Sequence, residues 1–151
     1  MNVGEHCKRG VVSIAADNDV VEAAKVMRQH HVGFLVVHEP GDELRKPIGV
    51  VTDRDLVLAV MAREVDPHAV TVRDVMTLQP LMASESDDLG DVLAAMRLAG
   101  VRRVPVVDAR GALTGILAID DAIQLITSLM CDLSGSIKSE QRQERQTRVG
   151  L

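Results

Sequence analysis

The sequence predicts a mixed α/β (α+β) fold made of two tandem β-α-β-β-α units, and three observations carry that reading. First, Gly49-Val50-Val51-Thr52-Asp53-Arg54-Asp55, an apolar strand ending in a hydroxyl and two carboxylates, has a second copy in Gly115-Ile116-Leu117-Ala118-Ile119-Asp120-Asp121. Second, the chain aligns on itself. An offset of 69 sets Val12 on Leu81, Asp19 on Asp88, Met27 on Met96, Val32 on Val101 and Val37 on Val106, and it falls to 66 past a turn three residues longer in the first half. Third, each half alternates short apolar runs with stretches of helical period.

Taken in order, the first strand of each unit is short and apolar, Val11 to Ile14 and Leu81 to Ala83. An acidic, capping-type stretch follows (Asp17-Asn18-Asp19; Ser84 to Asp88), of the kind that accepts from the free N–H groups of a first helical turn. The helices it opens repeat apolar residues at three-and-four spacing, Val20, Ala23, Ala24, Met27 and Leu89, Val92, Leu93, Met96. The next runs, Val32 to Val37 and Val104 to Val107, are too apolar to face water on either side, so both faces are expected to be covered. A turn, a strand and a second helix complete each unit: Ile48 to Val51 then Asp53 to Met61, and Leu113 to Leu117 then Ile119 to Met130. Residues 5–63 are assigned to unit one, 64–71 to a linker in which Pro67 breaks the preceding helix, and 72–130 to unit two. In the polar tail, 131–151, Ser134-Gly135-Ser136 reads as a flexible joint before a solvated segment or a lone polar helix.

Composition narrows the function. With one Phe, no Trp and no Tyr, the chain lacks stacking platforms for bases, and a net charge of −5 repels a polyanion, which argues against nucleic acid as a partner. No apolar run reaches the ~18–20 residues of a membrane span, and the N-terminus lacks the apolar region of a secretory leader, so a cytoplasmic setting without membrane attachment is expected. Cys7 and Cys131 have no metal-ligand spacing and read as reduced, buried thiols. His30, His31 and His38, and separately the His6-Cys7 pair, offer at most a weak zinc cluster, since adjacent histidines point apart on a helix and His38 stands at a strand end, and no nucleophile–base constellation or phosphate loop points to an enzyme. At the first junction Thr52 is a natural N-cap, with Asp55 in the positive end of the helix dipole.

Together with Val72-Arg73-Asp74-Val75-Met76-Thr77, His31-Val32-Gly33-Phe34-Leu35-Val36-Val37 and Gly100-Val101-Arg102-Arg103-Val104-Pro105-Val106-Val107-Asp108, these units resemble a CBS-domain pair, or Bateman module. The resemblance covers roughly residues 5–130. It implies two units packed about a pseudo-twofold, two clefts for an adenosine-containing ligand (AMP, ADP, ATP or S-adenosylmethionine) acting as regulator rather than obligatory cofactor, a homodimer, and an effector protein of unknown identity. In the family's ribose signature Gly49, Thr52 and Asp55 match fully, whereas Gly115 and Asp121 match but Ala118 lacks the hydroxyl. One strong site and one weakened site are therefore expected. Arg54, Arg102 and Arg103 are the phosphate candidates, since a guanidinium fork suits phosphate oxygens. The resemblance points to Val12, Ser13, Phe34 and Val104 for the adenine. Cys7-Lys8 stands where unit two has Met76-Thr77, which marks a departure in the first lead-in. The alternative is a ligand-free dimeric interaction or stress protein, with a redox link through Cys7 or Cys131.

Overall fold

The computed structural model describes residues 1–148. Helix α1 (Val3–His6), β1 (Ser13–Ala15), α2 (Val20–His30), β2 (Phe34–His38), β3 (Gly49–Thr52) and α3 (Asp53–Leu56) form the first half. A π-helical turn, Val57–Met61, and a 3₁₀ turn, Pro67–Ala69, lead to α4 (Val72–Val75), β4 (Thr77–Leu78), β5 (Ala83–Ser84), α5 (Leu89–Ala99), β6 (Arg103–Val107), β7 (Leu113–Ala118) and α6 (Ile119–Arg148). The chain divides into two compact units, one from Met1 to Ala118 that holds both sheets and one beginning at Ile119 that is the last helix.

The repeat is visible cap by cap. The Asp19 carboxylate accepts from Glu22 N–H at 2.8 Å to start α2, and the Asp88 carboxylate accepts from Gly90 N–H at 2.8 Å to start α5. Both helices end on a left-handed residue, Gly100 in α5 and His31 in α2. Glycine takes that conformation freely, whereas His31 holds it against a steric cost, so its place in the chain is that of a helix terminator.

One sheet has the order β1-β2-β3-β4 and the other β5-β6-β7. In each, the first strand runs parallel to the second, and the second antiparallel to the third. Leu35, Val36 and Val37 are all fully buried, as are Val104 and Val106, so the middle strands are covered on both faces as their composition predicts.

What the sequence does not show is an exchange of lead-ins. The segment before the second repeat completes the first sheet: Val72 N–H donates to Asn18 O at 2.8 Å, Arg73 N–H to Ala16 O at 3.0 Å, and Thr77 pairs with Val50. The chain's N-terminus serves the second sheet in the same way, with Val3 N–H on Asp87 O, Gly4 N–H on Glu85 O, and Lys8 exchanging both backbone hydrogen bonds with Ile116, all at 2.9 Å. Hence the core cluster of Ile14, Ala16, Ala23, Met27, Leu35, Val37 and Val51 closes only when Val72 and Met76 join it.

Helix α6 also departs from expectation. It runs unbroken from Ile119 to Arg148 through Ser134-Gly135-Ser136, where a joint and a change from helix to tail are predicted; the last three residues of that predicted tail lie outside the described residues. The Ser136 hydroxyl donates back to Asp132 O at 3.0 Å, and one interior glycine costs a helix only about 1 kcal/mol. That is too little to stop propagation between two helix-forming flanks. No helix among the described residues is long and apolar enough to cross a membrane.

Surface carboxylates tie the lead-ins down. Arg73 donates through Nη1 to Glu39 Oε1 at 3.1 Å and through Nη2 to Glu39 Oε2 at 2.6 Å, and Arg9 pairs with Glu85. The Arg73 guanidinium holds Glu39 below the usual carboxylate range, Arg9 does so for Glu85, and the Thr71 N–H does so for Asp74. A carboxyl with a depressed folded-state pKa binds protons more readily when unfolded. Its contribution is complete above the unfolded value, about 4, and drains away as the pH falls through the folded one. The melting temperature is therefore expected to be flat between about pH 6 and 8 and to fall below about pH 4.5 in a pH-dependent calorimetric scan. Because these groups are exposed, the loss is modest in size, and it shrinks with added salt.

Candidate functional site

Strand β3 delivers the site. Its first residue, Gly49, lies so close to the lead-in that a Cβ there would stand 2.5 Å from Met76 Sδ and 2.9 Å from Thr77 O. The signature glycine therefore serves packing, letting β4 lie against β3. In the second sheet, Gly115 meets Cys7 Sγ at 2.6 Å and Lys8 O at 3.0 Å by the same measure. Cys7-Lys8, a departure in residue type, thus occupies the same structural position as Met76-Thr77. Burial pushes the Cys7 thiol above its ordinary pKa, keeping it protonated.

At the other end of β3, Thr52 pairs with Phe34 and caps α3. Its hydroxyl accepts from Asp55 N–H at 3.2 Å, and Asp55 Oδ2 accepts from Thr52 N–H at 2.8 Å. This is a complete capping box. It commits one carboxylate oxygen to the backbone, while Oδ1 makes no hydrogen bond among the described residues, and Asp55 is only half-buried. A carboxylate retains acceptor capacity beyond one bond, enough for a vicinal diol. The box alone does not define a binding site: Thr71 and Asp74 build the same one, with bonds of 3.3 and 2.9 Å, at the start of α4. What sets Thr52 and Asp55 apart is their position at the end of a sheet strand.

Around them the structure gathers part of the predicted set. Val12 O accepts from Val36 N–H at 3.3 Å and Ser13 is level with Val36, so the start of β1, the start of β2 at Phe34 and the end of β3 share one end of the first sheet. Val12, Ser13 and Phe34 are half-buried there. Arg54 is exposed on α3 and makes no ion pair among the described residues, so its guanidinium is available to an anion.

The remaining candidates belong to the second repeat. Arg103 pairs with Ala118 in the second sheet, in the register that Phe34 and Thr52 occupy in the first, so Arg102, Arg103 and Val104 belong to the second repeat's equivalent end. Val104 is fully buried; its side chain is core, which leaves only its backbone for an adenine. Asp121 lies in the first turn of α6. The histidines converge on nothing: His31 ends α2, His38 Nδ1 lies 2.8 Å from Glu39 O, and no group of three or more His, Cys, Asp or Glu side chains among the described residues is placed to hold a metal.

Two neighbours escape a reading of the sequence. Gly33 O accepts from Asp53 N–H at 3.0 Å, and a Cβ at Gly33 would meet Asp53 Oδ2 at 2.5 Å, so that glycine admits the start of α3. Arg45, in the turn between β2 and β3, reaches back to Val11 O and the Ser13 hydroxyl, both at 3.3 Å. It places a cation on a residue expected to face adenine. The partners of Gly33 and Arg45 lie 20 and 32–34 positions away, beyond any local motif, although a glycine at a strand entrance is itself a signal of close approach.

A family model described as "CBS domain" matches residues 3–62 and 72–128. An uncharacterized protein of Methanopyrus kandleri is 34% identical over 144 residues, 95% of this chain and 71% of that protein. Among solved structures, CBSX2 in complex with AMP is 26% identical with a TM-score of 0.71, covering 85% of this chain and 98% of that one. Hypoxic Response Protein I, with two coordinated zinc ions, is also 26% identical with a TM-score of 0.71, covering 82% and 98%.

Proposed function

Because the chain belongs to the CBS-domain family and carries two copies of the domain, we propose that it is a regulatory sensor whose first cleft takes an adenosine-containing ligand. The observation that carries this reading is Asp55, held by its capping box at the end of β3 with Oδ1 uncommitted and Arg54 beside it. The carboxylate accepts from the ribose hydroxyls, the Thr52 hydroxyl lies next to it, and Arg54 meets a phosphate. The half-buried Val12 and Phe34 offer an apolar bed for the base, and Ser13 exchanges its bond to Arg45 for one to the ligand. The relative in complex with AMP supports a ligand of this class.

The signal is a shift in packing. A ligand acts only through its different affinities for two arrangements of the protein. Here the site strand β3 is pinned at Gly49 by Met76 and Thr77, which belong to the second repeat's lead-in, so a displacement of β3 is felt by the other half. The output is read by an effector protein meeting a homodimer in the cytoplasm. The second cleft, with Ala118 in place of the hydroxyl, is the weaker one. That same Ala118 favours the alternative, a ligand-free interaction protein. Of the two thiols its redox variant would use, Cys7 is half-buried with its pKa raised by desolvation, whereas Cys131 is exposed on α6.

The deciding measurement is a thermal-shift and calorimetry screen against AMP, ADP, ATP, NAD and S-adenosylmethionine. A ligand bound only by the folded state at 100 times its dissociation constant stabilises by about 2.7 kcal/mol, which shifts the midpoint by several degrees. One adenosine ligand per chain is the expected result. No shift with any of them turns the reading to the interaction protein.

A further inference from the structure

An arginine beside the first cleft stands where its backbone would choose glycine. The turn between β2 and β3 is fixed by Asp42, whose carboxylate accepts from Leu44 N–H at 3.0 Å and from Lys46 N–H at 2.9 Å. The turn between β6 and β7 is built alike: the Asp108 carboxylate accepts from Arg110 N–H at 2.8 Å and from Ala112 N–H at 2.9 Å. In both turns the third residue past the aspartate donates its N–H to that aspartate's carbonyl and takes a left-handed backbone. In the second repeat that residue is Gly111, at φ +80°, and in the first it is Arg45, at φ +50°. A residue with a Cβ holds this conformation at a steric cost that glycine escapes. The turn itself needs only a glycine, so the arginine is retained for what its side chain does.

That side chain turns back onto β1. Its Nη1 donates to Val11 O and to the Ser13 hydroxyl, both at 3.3 Å, and the residue is half-buried. Among the described residues Arg45 makes no ion pair, and its Nε and Nη2 make no hydrogen bond. Two long bonds to neutral acceptors, with no anion behind them, hold a guanidinium weakly. The backbone is held better, because Leu44 O accepts from Leu113 N–H at 3.0 Å and bonds the turn to β7 as well as to itself. The side chain can therefore leave while the turn stays. An amino-bearing base entering at Val12 and Ser13 would need the acceptors that Arg45 now occupies. We propose that Arg45 is a built-in competitor for the first cleft: its guanidinium takes the base's place on β1 in the free protein, the ligand binds by displacing it, and this one side chain sets the concentration at which the sensor responds. The inference rests on the adenosine reading above and adds to it the residue that tunes its affinity.

The test is isothermal titration of the full chain with adenosine, AMP and S-adenosylmethionine. Two variants remove the competitor. Arg45→Gly gives the turn the residue its counterpart already has, and Arg45→Asn tolerates the left-handed backbone but is too short to reach Ser13, so both should keep the native circular dichroism spectrum. Each ligand that binds should do so about 5- to 30-fold more tightly than to the wild type, the worth of one or two such hydrogen bonds no longer broken on entry. Adenosine and AMP should gain by the same factor, because the competition is for the base and not for the phosphate. Binding detectable only in the variants is the same result at its extreme. Unchanged or weaker binding throughout would overturn the inference and leave the sensor reading standing. So would a loss confined to AMP, which would make Arg45 a phosphate ligand, or a gain confined to Arg45→Gly, which would trace to a loosened backbone. Binding by none of the three proteins defeats the sensor reading, and the competitor with it.

Discussion

Asp55→Asn is expected to weaken adenosine-ligand binding by about 10²–10³-fold, since hydrogen bonds to a charged acceptor are worth about 1.5–3 kcal/mol each and a diol makes two. The substitution separates the two roles of the residue. An asparagine carbonyl still accepts from Thr52 N–H and keeps the cap, while the remaining amide donates where the carboxylate accepted. Stability should therefore change by no more than a few tenths of a kcal/mol. Asp74→Ala is the matched control. It breaks the same capping box at the start of α4, costs about 1 kcal/mol, and should leave affinity untouched. Asp121→Ala should cost less affinity than Asp55→Asn, because Ala118 already denies its cleft a hydroxyl. Isothermal titration of the variants reads the affinities, and equal losses at Asp55 and Asp121 would refute the ranking of the two clefts.

Gly49→Ala is expected to lower stability by about 2–3 kcal/mol, at the upper end of what overpacking costs. The Met76 side chain can turn aside, but Thr77 O cannot, since it belongs to the strand that pairs with β3. Relief requires the two strands to part, and with them the lead-in that closes the core. Gly115→Ala should behave alike against Lys8 O. Gly135→Ala should go the other way, gaining about 0.5–1 kcal/mol, because a Cβ there meets nothing within 4 Å and alanine favours the helix. Chemical denaturation midpoints of the three variants measure this directly. A tolerated Gly49→Ala would mean that the two strands part at little cost.

The family match and the parallel β-α-β-β-α repeats agree with what the internal alignment implies. The caps at Asp19, Asp88 and Thr52 were legible for a plain reason: a cap is a bond between residues two or three apart, and so is its signal. The same locality explains the buried middle strands, whose unbroken apolar runs leave no face for water. The joint predicted at Ser134-Gly135-Ser136 failed on local grounds too, because a single glycine is a weaker stop than it looks between helical flanks.

By itself, then, the sequence determined the order and type of the repeated strands and helices, though not the lead-in elements α1, α4 and β4 or the length of α6, and the identity of Thr52 and Asp55 as a capped helix start. Only the tertiary structure decided which repeat each lead-in completes, that Gly49 and Gly115 make room for Met76 and Cys7, that Arg45 reaches Ser13, and that Arg102, Arg103 and Val104 belong to the second repeat's end of the other sheet. Local elements follow from hydrogen bonds and periodicities spanning a few residues. Contacts across tens of residues depend on how the sheets close on each other, and no spacing along the chain records that.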